Sequence, residues 1–389
     1  MPDVHCSTYS SGMASFSISG SQGSFVGAAN RPLRAMAAAA AMLLAACAGG
    51  DPAGPATSST AVAGESYTLT SNKPLGSVPD ASATAAGSIP EGGLPLIGKV
   101  RYGVPTAAQP GIGQSLSGAL PFPIDDAWNR DLVRAVPDLA SHALIAAIGH
   151  GATLAPGFGA LAGVPYAVVD RQQPTAVIRF AGTKATRAWP IPAGLQPSAD
   201  ASARLAVLDR DAGVLHELRG AVRGADGTWD AASGASWKLE LADGAPIDIV
   251  GMPSDDGGLP VFPGLIRYDE ASAGAIRHAL RVTVPAVRAA WVPPARRAAG
   301  SAPDASLPPI GLRLRLKSDV AIPADASPAS RAILQALKTY GMIVAGVGPG
   351  LMLEGAPDER WDSARLASDL ARLRGSDFEA ISMDGLATP

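Results

Sequence analysis

Apolar positions along this chain recur in two periods, and the periods predict most of its elements. Tyr166–Val169 and Ala176–Phe180 are short apolar runs rich in β-branched and aromatic residues, and they read as strands. Residues 204–209 and 214–218 flank a turn-rich joint at 210–213, which predicts a β-hairpin. Further strands are expected at 275–284, 289–292 and 311–317. In the last of these, Leu312, Leu314 and Leu316 alternate with Arg313, Arg315 and Lys317, the mark of a half-buried strand. A stripe through Leu132, Val136, Leu139, Ala143, Ile145 and Ile148 predicts a helix within 131–148. Near the C-terminus, Ser327-Pro328 offers an N-cap followed by a proline at the first helical position. Ile333, Leu334 and Leu337 then form an apolar stripe that Gly341 terminates. Residues 351–353 read as a short buried strand, and Asp362 caps a last helix running to Arg374 and stopped by Gly375. Strands fill the middle and helices the two ends. The expected fold is mostly β, a β-sandwich-like core with peripheral helices near both ends of the globular domain, in the α+β class.

The N-terminal quarter has a different pattern. Arg31 and Arg34 precede an almost purely Ala, Leu and Met run at 35–46. The run is too short to span a bilayer, which takes roughly 20 apolar residues, but it suits a signal-peptide h-region. It closes on Leu44-Ala45-Ala46-Cys47, which resembles the bacterial lipobox, with Cys47 as the acylated residue. Residues 1–47 are therefore expected to be a signal region, with Met13 a better start than Met1. Residues 48–92 are Ala, Ser, Thr, Gly and Pro with few large apolar side chains, the composition of a flexible tether. Residues 93–389 remain as a single globular domain. The chain would then be exported and lipid-anchored to the bacterial cell envelope, and Ala48 after Cys47 fits the outer membrane of a Gram-negative cell.

Charge and cysteine content narrow the chemistry. Net charge is −3, so no basic field draws the chain to nucleic acid. The chain has two cysteines, Cys6 and Cys47; with Cys6 in the signal region and Cys47 carrying lipid, neither a disulfide framework nor a cysteine nucleophile is expected. His142, His150, His216 and His278 show no metal-pair spacing, and neither a metal nor another cofactor is expected. Serine-hydrolase elbows, His-Glu-x-x-His and phosphate-binding loops are absent. Asp269 and Glu270, at an expected strand end, lie close in sequence to His278 and could form an acid/base site, or else a solvated turn. Asp255 and Asp256 beside Gly257 could hold calcium, or form a plain turn. Trp128, Asn129 and Trp361 are candidates for sugar contacts, with core packing the alternative. Lys338 and Tyr340 are candidate binding residues at a helix end, where Lys338 also complements the helix dipole.

The stretch Ile333-Leu334-Gln335-Ala336-Leu337-Lys338-Thr339-Tyr340-Gly341-Met342-Ile343-Val344 resembles the signature of a family of secreted bacterial proteins common in soil and polysaccharide-degrading organisms. Matching blocks include Gly163-Val164-Pro165-Tyr166, Gly258 to Glu270 and His278-Ala279-Leu280-Arg281. The family's activity is not established. Where its signature continues Asp-Asn-Gly, this chain has Gly346-Val347-Gly348; Arg204 and Arg297 stand where the family has His. The resemblance implies an envelope protein that binds or processes a polysaccharide. The alternative is a non-catalytic structural or partner-binding envelope lipoprotein, which the replaced polar positions favour. If the chain is an enzyme, Asp269 and Glu270 would do the acid/base work, with His278 orienting them.

Overall fold

The computed structural model describes residues 100–388 apart from 243, 252–254 and 386. The lipobox, Cys47 and the 48–92 segment lie outside the described residues.

Six strands form the first sheet, in the order Gly111–Ile112, Tyr166–Val169, Leu205–Asp209, Val214–Arg219, Ser233–Lys238, Pro246–Val250. All neighbours are antiparallel except Tyr166–Val169 with Leu205–Asp209. The inner strands Tyr166–Val169 and Leu205–Asp209 are buried on both faces, which is why they read as continuous apolar runs. Tyr166, Val168, Ala206, Leu208, Leu215 and Trp237 enter the larger core. Their neighbours Ala167, Val169, Leu205, Val207 and Leu218 enter a smaller one. A four-stranded sheet of Val222–Arg223, Trp229–Ala231, Ala176–Phe180 and Thr186–Trp189 closes that smaller core. Gly234 permits the close approach, since a Cβ there would lie 2.9–3.0 Å from Leu218, Trp189 and Phe180.

The second six-stranded sheet runs Phe378–Ala380, Arg313–Leu316, Met342–Val347, Leu280–Val284, Met352–Leu353, Ala155–Pro156. Val282, Leu314 and Val344 from this sheet join the larger core, so the two six-stranded sheets bury their facing sides together. Four helices lie among the described residues: α1 (Ser141–Ile148), α2 (Tyr268–Ser272), α3 (Pro328–Thr339) and α4 (Ser363–Leu370). The fold is mostly β, with several sheets and a few short helices, α+β with β predominance. In α3, the Ser327 Oγ accepts from the Ser330 N–H at 3.1 Å, and Gly341 follows at φ +68°.

The structure trims several expected elements. The 131–148 helix is confined to α1, because Pro137 cannot donate a helical hydrogen bond and Val133, Val136 and Leu139 face solvent. α4 ends at Leu370, and beyond it Leu373 O accepts from Leu154 N at 2.9 Å and Arg374 pairs with Thr153. The 289–292 segment makes isolated bridges through Trp291, and Pro293 and Pro294 stop it from extending. The 275–284 strand begins only at Leu280. Asp269 and Glu270 lie in the first turn of α2 rather than at a strand end.

One buried carboxylate sets where the chain turns toward α2. Glu217, on the Val214–Arg219 strand, is 1% exposed. It accepts from the backbone N–H of Val261 at 2.9 Å and of Phe262 at 2.7 Å. These two donors open the turn at Phe262–Gly264 and have no strand partner. Glu217→Ala should therefore destabilise the fold by about 3 kcal/mol, because charged hydrogen bonds vanish and two backbone donors are left buried. Urea denaturation checks this; a loss below about 1 kcal/mol would mean that water replaces the carboxylate.

Candidate functional site

Of the three residues proposed for acid/base work, Glu270 and His278 meet at the N-terminus of α2. Arg267 enters the helix in extended conformation, and the Glu270 side chain folds back over it. Glu270 Oε1 accepts from the Arg267 backbone N–H at 3.1 Å, and Oε2 accepts from Arg267 Nη2 at 2.6 Å. His278 Nε2 lies 3.0 Å from Glu270 Oε1, and its Nδ1 lies 2.8 Å from Ala279 O. Burial alone would raise the Glu270 carboxyl, but Arg267 and His278 together hold it below its usual range. Its oxygens are thus occupied and ionised, which suits a clamp better than a proton donor. Asp269 points elsewhere. Its Oδ2 accepts from Ser115 Oγ at 2.6 Å, while Oδ1 stands 3.9 Å from Arg267 Nε. A pocket of about 160 Å³ opens beside these groups, walled by Leu116, Ala119, Leu120, Ala273 and Ala275, with Arg277 also on its lining.

A second cleft, about 280 Å³, is built around Arg281 of the Leu280–Val284 strand. This guanidinium is 1% exposed. Its Nε donates to Glu354 Oε2 at 2.6 Å, its Nη2 to Asp255 Oδ2 at 2.9 Å and its Nη1 to Pro260 O at 3.1 Å. Glu354 Oε1 accepts from Arg204 Nη2 at 2.7 Å, and Asp255 Oδ1 from Leu259 N at 2.7 Å. Arg219 pairs with Asp256 on the rim. The stem of Arg281 passes Gly264, where a Cβ would meet it at 2.5 Å and Trp128 at 2.3 Å. Burial works to raise Glu354, yet Arg281 and Arg204 hold it down to about 2. Burial pushes Asp255 up against the pull of Arg281. Arg204, Gly346 and Val347, three of the positions that depart from the resembled signature, all line this cleft. At Gly346 a Cβ would meet nothing nearer than Thr283 Cγ2 at 3.9 Å.

Of the remaining candidates, only Asp255 and Asp256 line either site. Trp128 is 1% exposed and belongs to the larger core, and Trp361 is 6% exposed with its Nε1 on Ala356 O at 3.2 Å. Neither ring presents a face for sugar stacking. The Asn129 side-chain amide donates to the carbonyls of Pro121, Phe122 and Pro123 and so shapes a loop. Lys338 Nζ donates to Ser318 O at 2.9 Å, and the Tyr340 carbonyl accepts from Arg313. Asp255 and Asp256, considered for calcium, are each held by an arginine. Among the described residues, no three His, Cys, Asp or Glu side chains gather as a metal site. Asp255, Asp269, Glu270, His278 and Lys338 therefore do not share one pocket. Sequence reasoning missed Arg204, Arg219, Arg267, Arg281 and Glu354. A readable signal existed for Arg281, a charge inside an otherwise apolar strand that could only be buried with a partner.

Comparison with family models, with curated proteins and with solved structures finds no match for this chain. Among the described residues, no helix is long and apolar enough to cross a membrane.

The Glu354 carboxyl makes a pH prediction. Its folded value of about 2 lies below the ordinary 4.5, so its ionised form stabilises the fold at neutral pH. That stabilisation, on the order of 3 kcal/mol for one such group, should fade as pH falls from about 4.5 toward 2. Asp255, raised by burial, works in the opposite sense. Glu354→Gln should be less stable than wild type at pH 7 and lose less stability on acidification. Denaturation midpoints measured across the acid range check this; parallel curves for the two proteins would refute it.

Proposed function

We propose that this chain is an exported lipoprotein, anchored through a lipid on Cys47, whose domain binds a polysaccharide segment in the Arg281 cleft without cleaving it. The observation that carries the reading is the make-up of the cleft wall. Arg204 and Arg219 stand beside Asp200, Ser202, Asp256 and Thr283, with the chain at Gly346–Gly348 forming one side. Sugar hydroxyls both donate and accept, so they match a wall that alternates guanidinium donors with carboxylate and hydroxyl acceptors. Charges of both signs also suit a hydroxyl-rich ligand better than a strongly anionic one.

Binding is favoured over hydrolysis because the carboxylates here are engaged. Glycoside hydrolysis needs two carboxyl groups facing the scissile bond, one of them protonated. Each Glu354 oxygen accepts from an arginine, and Asp255 is 4% exposed with both oxygens hydrogen-bonded. The departures at Arg204, Gly346 and Val347 on this same wall fit a member of the resembled family that has exchanged polar groups there. Leu44-Ala45-Ala46-Cys47 supports the anchor and the envelope location.

Two experiments test the reading. Affinity electrophoresis of the Cys47→Ser chain through polysaccharide gels should show retardation on at least one neutral polysaccharide, with no reducing ends released. Arg219→Ala and Asp256→Asn, both at half-exposed side chains, should weaken that retention by about tenfold without unfolding the domain. Retention unchanged in both variants, or no retention at all, would leave the partner-binding alternative. In cells, labelled palmitate should enter the wild-type chain and not Cys47→Ser; equal labelling would remove the anchor.

A further inference from the structure

The pocket beside α2 carries buried polar groups that lack a hydrogen bond within the protein. Arg267 lines it, its side chain 2% exposed, and neither Nε nor Nη1 has a hydrogen-bond partner. Asp269 Oδ1 forms a long ion pair with that Nε at 3.9 Å but likewise has no hydrogen bond. Arg277, on the same pocket, forms no hydrogen bond or ion pair among the described residues. Buried polar atoms nearly always make hydrogen bonds, so Arg267 Nη1 and a donor and acceptor joined only by a long ion pair point to a missing molecule between them. Glu270 adds no free acceptor, since Arg267 and His278 take up its oxygens.

The two kinds of open group narrow the ligand. A simple anion would face the Asp269 carboxylate, and a simple cation would face two guanidinium groups. A molecule with adjacent positive and negative ends satisfies both. The rest of the wall is apolar, through Leu116, Ala119, Leu120, Ala273 and Ala275, and the volume of about 160 Å³ admits only a small body. We infer that this pocket binds a free α-amino acid with an apolar side chain. The ligand carboxylate lies on Arg277 and Arg267, its ammonium on Asp269, and its side chain on the Leu116–Leu120 wall. Asp269 is the movable part of the site. Its side chain is 23% exposed and held by one hydrogen bond from Ser115, so a small turn toward the ligand uncovers the Arg267 N–H groups. This site is separate from the Arg281 cleft and does not depend on what that cleft binds.

Titration calorimetry on the full chain tests the assignment with L-leucine as the probe. Two truncated analogues accompany it: 4-methylpentanoate, which lacks the ammonium, and 3-methylbutylamine, which lacks the carboxylate. Leucine should bind saturably, and each analogue should bind about tenfold more weakly or worse. Arg277→Gln and Asp269→Asn should each weaken leucine binding by about tenfold. Ala273→Phe, a change at an exposed position that fills the pocket mouth, should block binding while leaving the melting temperature of the unliganded chain in place. An analogue that binds as well as leucine overturns the zwitterion assignment. Leucine that fails to saturate up to roughly 10 mM, or that binds Ala273→Phe as it binds wild type, overturns the site.

Discussion

A single buried guanidinium, Arg281, sets the terms for much of this structure. It sits on a central strand of the second six-stranded sheet with almost no exposure. A charge in that position is costly unless it is paired and fully hydrogen-bonded. Glu354, Asp255 and the Pro260 carbonyl supply those partners, and Glu354 in turn recruits Arg204. Arg204 leads into the Leu205–Asp209 strand of the first sheet. The chain of ions therefore ties the two sheets at the edge of the larger core. Its contribution is to fix which segments meet, since apolar burial alone would tolerate sliding.

The same device recurs at smaller scale. Arg313 is half-buried, desolvation lowers its pKa to about 9, and it donates to the Tyr340 and Arg130 carbonyls at 2.8 and 3.0 Å. Arg315 pairs with Glu379 at 2.7 Å and also donates to Ala135 O. Together these two side chains fasten the 127–135 loop to the second sheet. Only 6 of the 31 basic residues are lysine, and the structure gives that bias a use. A planar guanidinium can serve several carbonyls and carboxylates at once, where an ammonium could not hold the same fork. Glu217 is the acidic counterpart, a carboxylate whose partners are the backbone donors of an adjoining turn.

Two polar pockets follow from this construction, and they differ in kind. Around Arg281 the carboxylates are engaged by arginines, which leaves a wall of oriented but mutually neutralised groups. Beside α2 the arginine is only partly hydrogen-bonded, and it faces Asp269 across a long ion pair.

Local patterns were legible wherever one segment decides its own conformation. The strands Tyr166–Val169 and Ala176–Phe180, the hairpin around 210–213, and the Ser327 cap with Gly341 stop of α3 follow from side-chain period and backbone preference. The mostly-β class follows from their sum. The sequence by itself also brought Glu270 and His278 within reach of one another, because few residues separate them. What only the tertiary structure decided was which groups are free to act. Arg267 occupies Glu270, which looked catalytic, Arg281 and Arg219 hold Asp255 and Asp256, which looked calcium-binding, and packing buries Trp128 and Trp361 that looked like sugar platforms. The reason is physical: a residue's chemistry depends on its partners and its exposure, and Glu354 meets Arg281 from 73 positions away. No local period encodes a contact of that range.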